Sequence, residues 1–303
     1  MFRGYRLTRV ERTEEIIWAR LINKHMEKFQ LSLLFKIIGI SSASGLVFNH
    51  GLVYLISDNS TYLYQYHIDS ERLDKFPLIE NATDNIQKKL KPDFEAIAFN
   101  DSYYFLFGSG STENRNQMIQ IDAKTKEVVK SFDLNFLYSS MQSFAEMKPD
   151  DFNIEGAIYN QETWYFFNRG NGKNTRNIVF TVTGSNLEDD FRIMVNEYIL
   201  PKIKGVRASF TDAIIIDDTI YFLATAEKTE STYDDGEVVG SLIGKMNSLN
   251  MKIEFTKKIT NTQKFEGLTF YKRSENEIEF LLCEDNDTEA LESGIYKLKI
   301  ELR

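Results

Sequence analysis

Apolar positions along most of this chain recur with period two, in short runs separated by polar or glycine-rich turns, which is the pattern of half-buried strands. One early segment differs. Over residues 11–29, Ile17, Leu21 and Ile22 fall at helical spacing with charges on the other faces, which predicts a single amphipathic helix, most simply a packed cap. From Leu31 onward a template repeats. A polar or acidic residue opens a short apolar strand, a turn follows, and a second apolar strand ends in a charged corner rich in Gly, Ser or Asn. EAIAF and YYFLF follow Glu95 in this way, EGAIY and WYFFN follow Glu155, and EGLTF and IEFLL follow Glu266. Ser44 and Thr211 occupy the same slot in two further copies.

The slot residues Ser44, Glu95, Glu155, Thr211 and Glu266 are 51, 60, 56 and 55 residues apart. A self-similar period near 50 with about four strands per unit predicts an all-β, five-bladed β-propeller, better than a sandwich. The whole chain, 1–303, is expected to form one propeller domain, with residues 1–30 as an extension carrying the helix. Expected blades cover roughly 41–80, 93–136, 153–200, 209–259 and 265–303. The fifth unit is one strand short, and LSLLFKII, residues 31–38, is a spare strand ahead of the first unit. Pairing the two would close the ring and cover a raw sheet edge. A six-bladed ring with a degenerate blade from the first forty residues is the alternative.

The first strand of a propeller blade lines the channel and the second runs back. The start of the first and the end of the second therefore share one face. In four units the corner lies 14 residues after the slot, at Asp58, Ser109, Arg169 and Thr225; a longer turn puts the fifth at Asp285. Glu95, Glu155 and Glu266 are thus expected to ring one mouth of the channel and are the candidate metal ligands. The residues expected to contact a ligand beside them are Ser44, Asp58, Ser109, Arg115, Arg169, Asn171, Asp212, Glu227 and Asp285. Two carboxylates about 6 Å apart repel by roughly 3 kcal/mol at an effective dielectric near 20, so such acids must share protons, pair with cations or bind a metal. Arg115, Arg169, Arg176 and Arg207 are the nearby counter-charges. A purely architectural role, with the glutamates locking neighbouring blades, stays open at this point.

Composition narrows the partners. A net charge of −9 disfavours nucleic acid and anionic membrane surfaces. One cysteine, Cys283, excludes an internal disulfide and suits a reducing, cytoplasmic compartment. No run reaches the roughly 18 apolar residues of a membrane helix. The glycine-rich GSGST and RGNGK stretches could cradle an anion but match no nucleotide loop. DNDTE, residues 285–289, has the carboxylate spacing of a calcium loop, yet Ala290 stands where that loop needs glycine. The three histidines reach no corner, which disfavours a histidine triad or zinc site.

KPDFEAIAF, GSGSTENR, NIEGA, RGNG, SFTDA and KFEGL together resemble a bacterial family of uncharacterised β-propellers, itself distantly similar to esterase-like phytase and SdiA-regulated propellers. The resemblance implies a polar, calcium-binding channel mouth. Lactonase-type propellers use a Glu/Asn/Asp metal set, from which three glutamates depart. Two function classes follow. One is a calcium-assisted hydrolase of a phosphoester, ester or lactone, with Arg115 and Arg169 clamping a small anionic group. The other is a non-catalytic module binding a small polar molecule or a protein.

Overall fold

The computed structural model describes residues 28–231, 236–286 and 291–302. The helix expected over 11–29 lies outside these, except for its last two residues, and Phe29 instead opens a strand. Residues 287–289 of the DNDTE stretch also lie outside them.

Five antiparallel sheets follow one another along the chain. Strand β1 (Phe29–Ile38) precedes blade one, which comprises β2 (Ala43–Asn49), β3 (Leu52–Ser57), β4 (Tyr62–His67) and β5 (Arg72–Pro77). Blade two holds β6 (Phe94–Phe99), β7 (Tyr103–Gly108), β8 (Gln117–Asp122) and β9 (Val128–Asp133). Blade three holds β10 (Ile154–Asn160), β11 (Thr163–Asn168), β12 (Asn177–Asn186) and β13 (Asp190–Tyr198). In blade four a two-residue strand, β14 (Lys202–Ile203), pairs ahead of β15 (Val206–Ile216), β16 (Thr219–Lys228), β17 (Glu237–Asn247) and β18 (Ile253–Lys258). Blade five has β19 (Lys264–Arg273), β20 (Glu277–Asp285) and β21 (Glu292–Glu301), and β1 supplies its fourth strand. The β1–β21 register runs from Phe29↔Ile300 to Ile38↔Glu292. The innermost strands β2, β6, β10, β15 and β19 touch in sequence, and β19 touches β2. The fold is therefore the expected five-bladed propeller, closed by the expected strand.

Every innermost strand is interrupted at the same place. The register slips at Ser44, Glu95, Glu155, Thr211 and Glu266, each an extra residue between two paired neighbours. A bulge bends the strand and re-aims one side chain. Four blades then place a small residue next: Gly45, Ala96, Gly156 and Gly267. At Gly267 a Cβ would come within 2.5 Å of the Cys283 sulfur, 2.6 Å of Leu46 and 3.0 Å of the Gly45 Cα. Blades five and one approach so closely there that only glycine fits. Cys283 is buried in that contact and lies 3.5 Å from the Ala43 carbonyl.

The apolar core is divided into five layers, each between consecutive blades. Burial of one blade's alternate face against the next is what turns period-two patterning into a ring. One helix was not foreseen: α1 (Asn135–Phe144) packs Leu137, Tyr138 and Met141 into the layer between blades two and three. Its five apolar residues sit in an uncharged, serine-rich stretch, and two of them, Phe136 and Phe144, stay exposed, so the helical signal is weak. It also explains GSGST, because Gly110 has φ +75 and a Cβ there would strike Tyr138 and Phe152. Among the described residues no helix is long and apolar enough to cross a membrane.

Gly267→Ala should destabilise the protein by about 1–3 kcal/mol, the usual cost of overpacking, as read from urea unfolding. Removing residues 1–38 should bare the β21 edge and turn the monomer peak in size-exclusion chromatography into aggregate. A monomer of unchanged stability would contradict closure by β1.

Candidate functional site

The bulged residues and the corners meet at one end of the channel, where their order along the chain decides the chemistry. Ser44 and Thr211 turn out to be locks. The Ser44 hydroxyl donates to the Phe94 carbonyl at 2.6 Å, and the Thr211 hydroxyl to the Phe265 carbonyl at 2.7 Å, each in a neighbouring blade. Asp212 locks as well: its carboxylate accepts the Ala213 amide at 2.7 Å and the Leu268 amide at 2.6 Å. These bonds engage Asp212 between blades four and five, away from the ligand role expected of it. Locking of neighbouring blades, an open reading for the glutamates, falls to Ser44, Thr211 and Asp212 instead, two of which, Ser44 and Asp212, were expected to contact a ligand.

The three glutamates behave differently. Arg169, 4% exposed, reaches Glu155 at 3.2 Å and Glu266 at 3.3 Å through Nη1, and contacts Glu227 through Nη2. One guanidinium thus joins acids from blades three, four and five. Lys264 bridges Glu266 at 3.0 Å and Asp285 at 2.9 Å. Asn153 donates to Glu155 at 2.6 Å, and the Gly236 amide donates to Glu227. On the opposite side of the mouth, Lys91 bridges Asp58 and Asp93, the latter at 2.8 Å. Arg115 donates to Asp93 at 2.7 Å, and Ser109 also donates to it. Arg176 and Arg207 are turned elsewhere, to Glu197 and to the Leu200 carbonyl respectively.

Glu95 is the exception. Among the described residues it makes neither a hydrogen bond nor an ion pair, and it is half-buried. Burial raises its pKa well above the ordinary carboxylate range, and the charges of Asp93, Glu155, Asp58 and Glu266 raise it further. Glu155 and Glu266 are also raised by burial, but Lys264 and Arg169 oppose the shift. Burial raises Asp58 against the pull of Lys91. Lys91 is held above its usual value: burial works to lower it, and Asp58, Asp93 and Glu95 outweigh that effect.

The expected metal trio is corrected accordingly. Glu155 and Glu266 already share the Arg169 guanidinium, whereas the acids whose oxygens lie within 4.8 Å of one another are Asp58, Asp93 and Glu95. The expected anion clamp is corrected too, since Arg115 and Arg169 are both taken up by carboxylates. The seven acids named here face four cations, a surplus of three acids that raised carboxyl pKa values and bound protons partly offset. Asn171 is half-buried beside this cluster in sequence, and among the described residues its Oδ1 has no hydrogen-bond partner. The residues the sequence reading left out are Lys91, Asp93, Asn153 and Lys264. Asp93, Asn153 and Lys264 each stand two positions before a slot, and Lys91 four before; period two could have found them. At the other end the channel is apolar, a cavity of about 210 Å³ lined by Phe48, Ile97, Ile158, Ile214 and Phe270 among others.

Comparison with solved structures places this architecture among known folds. The glutaminyl cyclase of Myxococcus xanthus is similar with a TM-score of 0.52 at 9% identity, over 90% of this chain and 97% of that one. Regucalcin from Agrobacterium tumefaciens, a calcium-binding protein, has a TM-score of 0.45 at 8% identity, over 89% and 96%. A DUF4221 family member from Bacteroides vulgatus has a TM-score of 0.44 at 10% identity, over 91% and 99%. At such identities the likeness is one of fold. No curated protein matches the sequence. Residues 39–300 match a family described as "Family of unknown function (DUF6929)".

Glu95→Gln should stabilise the protein in the absence of any ligand. A carboxyl whose folded pKa is raised binds more protons folded than unfolded, so its ionisation removes stability as pH rises through and above the unfolded value. The variant should melt several degrees higher than wild type at pH 8, at roughly 2–4 °C per kcal/mol relieved. The two should converge near pH 4. An equal melting temperature at pH 8 would show that Glu95 is not under strain.

Proposed function

The chain belongs to DUF6929, a family of unknown function, and we propose that it is a propeller whose polar mouth binds a small neutral or cationic ligand together with a hard divalent cation. The observation that carries this reading is the unpaired Glu95 carboxylate in an array whose other acids are all held by protein donors. A charge left without a partner in a partly buried site destabilises the fold, and such groups are characteristic of binding and catalytic sites.

The residues present fit a cation such as calcium. The donor set is all oxygen, as hard ions prefer, and carboxylate oxygens within 4.8 Å can share an ion bound at about 2.3–2.6 Å. Among the described residues Asp58 Oδ1 is buried without a hydrogen-bond partner. Asp58, Asp93 and Glu95 would hold the ion, and its chemistry there would be to polarise a ligand oxygen. The chain's own part is threefold. Glu95 gives up its proton as the site fills, Lys91 cedes its bridging place, and the Arg169–Lys264 network keeps the opposite wall rigid. The surplus of acids supports neutral or cationic ligands over anions.

One observation favours a second reading. An acid with a raised pKa beside ionised carboxylates can act as a general acid, and Glu95 would then protonate a leaving group in hydrolysis of an ester, lactone or phosphoester. Loss of turnover with retained binding in Glu95→Gln would identify that role.

Chelator-stripped protein should melt higher with calcium, magnesium or manganese present. At a hundredfold excess over Kd the gain is about 2.7 kcal/mol, several degrees for a chain of this size. Asp58→Asn and Glu95→Gln should abolish the response, Lys91→Gln should enlarge it, and affinity should rise with pH as Glu95 loses its proton. Identical melting curves with and without all three ions would overturn the cation-binding reading.

A further inference from the structure

A cleft of about 740 Å³ opens between blades two and three. Its lining includes Asn100 and Tyr103 and the turn at Gln161–Thr163, where innermost strands end away from their bulges, so it lies at the opposite end of the molecule from the polar mouth. We propose that this cleft is a second ligand site, independent of the mouth, and that it takes a neutral oligosaccharide.

Its floor is aromatic and prearranged. Trp164 is wedged at right angles to Phe105, with ring centroids 5.1 Å apart, and Tyr159 lies 4.7 Å from Trp164. Tyr103 extends the platform beside Phe105 at 6.1 Å. Phe105 and Trp164 are buried and fix the half-buried Tyr103 and Tyr159, whose rings offer a rigid apolar face at low entropic cost, suited to the C–H face of a sugar ring. The rim is made of planar amides. Gln120 is half-buried and Gln161 exposed, and among the described residues neither side chain makes a hydrogen bond. An amide presents both donors and an acceptor, which suits vicinal hydroxyls.

Charge excludes the alternatives. No Lys, Arg or His lines the cleft itself, and the nearby cation Lys130, over the Phe132 ring at 3.9 Å, is already paired with Glu188 at 2.7 Å, which disfavours a phosphate or carboxylate ligand. The single carboxylate, Glu162, stands exposed on the rim. The rings pack on one another as a floor and do not enclose a box, and the volume far exceeds a single ammonium group, which disfavours an aromatic cage. The size matches sites for ligands of several rings. The rim turn carries a cost as well: Gln161 (φ 48) and Glu162 (φ 64) both occupy the left-handed region that hairpins usually give to Asn-Gly. Retaining side chains there holds an amide and a carboxylate at the edge of the cleft.

Trp18→Phe leaves Trp164 as the only tryptophan, and its fluorescence reports on the cleft. The probes are neutral hexasaccharides of glucose, mannose, galactose and N-acetylglucosamine, with tetramethylammonium and inorganic phosphate as competitors of other chemistry. At least one hexasaccharide should give a saturable change. Gln120→Ala and Gln161→Ala should each weaken it about tenfold, the worth of one hydrogen bond to a ligand, while the cation response of the mouth stays as it was. No response to any of the four sugars, an equal response in both glutamine variants, or saturation by tetramethylammonium or phosphate instead would each overturn the proposal.

Discussion

The mouth of this propeller depends on one guanidinium. Arg169 sits at the corner of blade three and holds glutamates from its own blade and the next two, with almost no exposure to water. Three buried carboxylates without it would repel one another and face a desolvation penalty. Loss of a partner from such a cluster typically costs about 3–5 kcal/mol. Arginine suits the place because its fork contacts several oxygens at fixed geometry and keeps its charge when buried. Among the described residues the Nε of Arg169 has no hydrogen-bond partner, so even this cluster is not fully satisfied. It fixes the relative position of three blades and leaves the acids on the far side, Asp58, Asp93 and Glu95, to a different balance.

That second balance arises from backbone geometry. Each innermost strand slips register at its slot residue, and the slot therefore points where a regular strand would not aim it. Where the slot holds Ser or Thr, the hydroxyl ties one blade to the next. Where it holds Glu, the same bulge crowds carboxylates together, and Arg169, Lys264, Lys91 and Arg115 answer all but one of the acids at the mouth. Glu95 is the acid left over. Small residues just beyond the bulge draw the strands inward, and the channel below turns apolar, so the polar groups are confined to one end.

Much of the fold was legible in the sequence because a repeat declares itself several times. Apolar alternation, the constant spacing of slot and corner, and a spare strand matched by a missing one together specified five blades and their closure. Helix α1 was not legible: only three of its five apolar residues are buried, in a stretch without charges or a side-chain cap. At the site the slot acids and corners were read correctly as neighbours, but pairing was not. Sequence spacing places Glu155 and Glu266 beside Arg169 without saying that the arginine spans both. It put Asp212 among the ligand residues, whereas its carboxylate is spent on the Leu268 amide of the next blade. Asp93, Asn153 and Lys264 were reachable through period two, and the focus on slots and corners passed over them.

The account turns on a single group, so the most direct measurement is an NMR titration of the Glu95 side-chain carboxyl in the folded protein, with and without calcium. Without the ion, Glu95 should titrate well above the ordinary carboxylate range, later than the exposed glutamates of the same molecule. With calcium its midpoint should move down toward that range, as the ion replaces the proton. An ordinary midpoint unmoved by calcium would mean that Glu95 is neither strained nor poised, and would contradict the central claim.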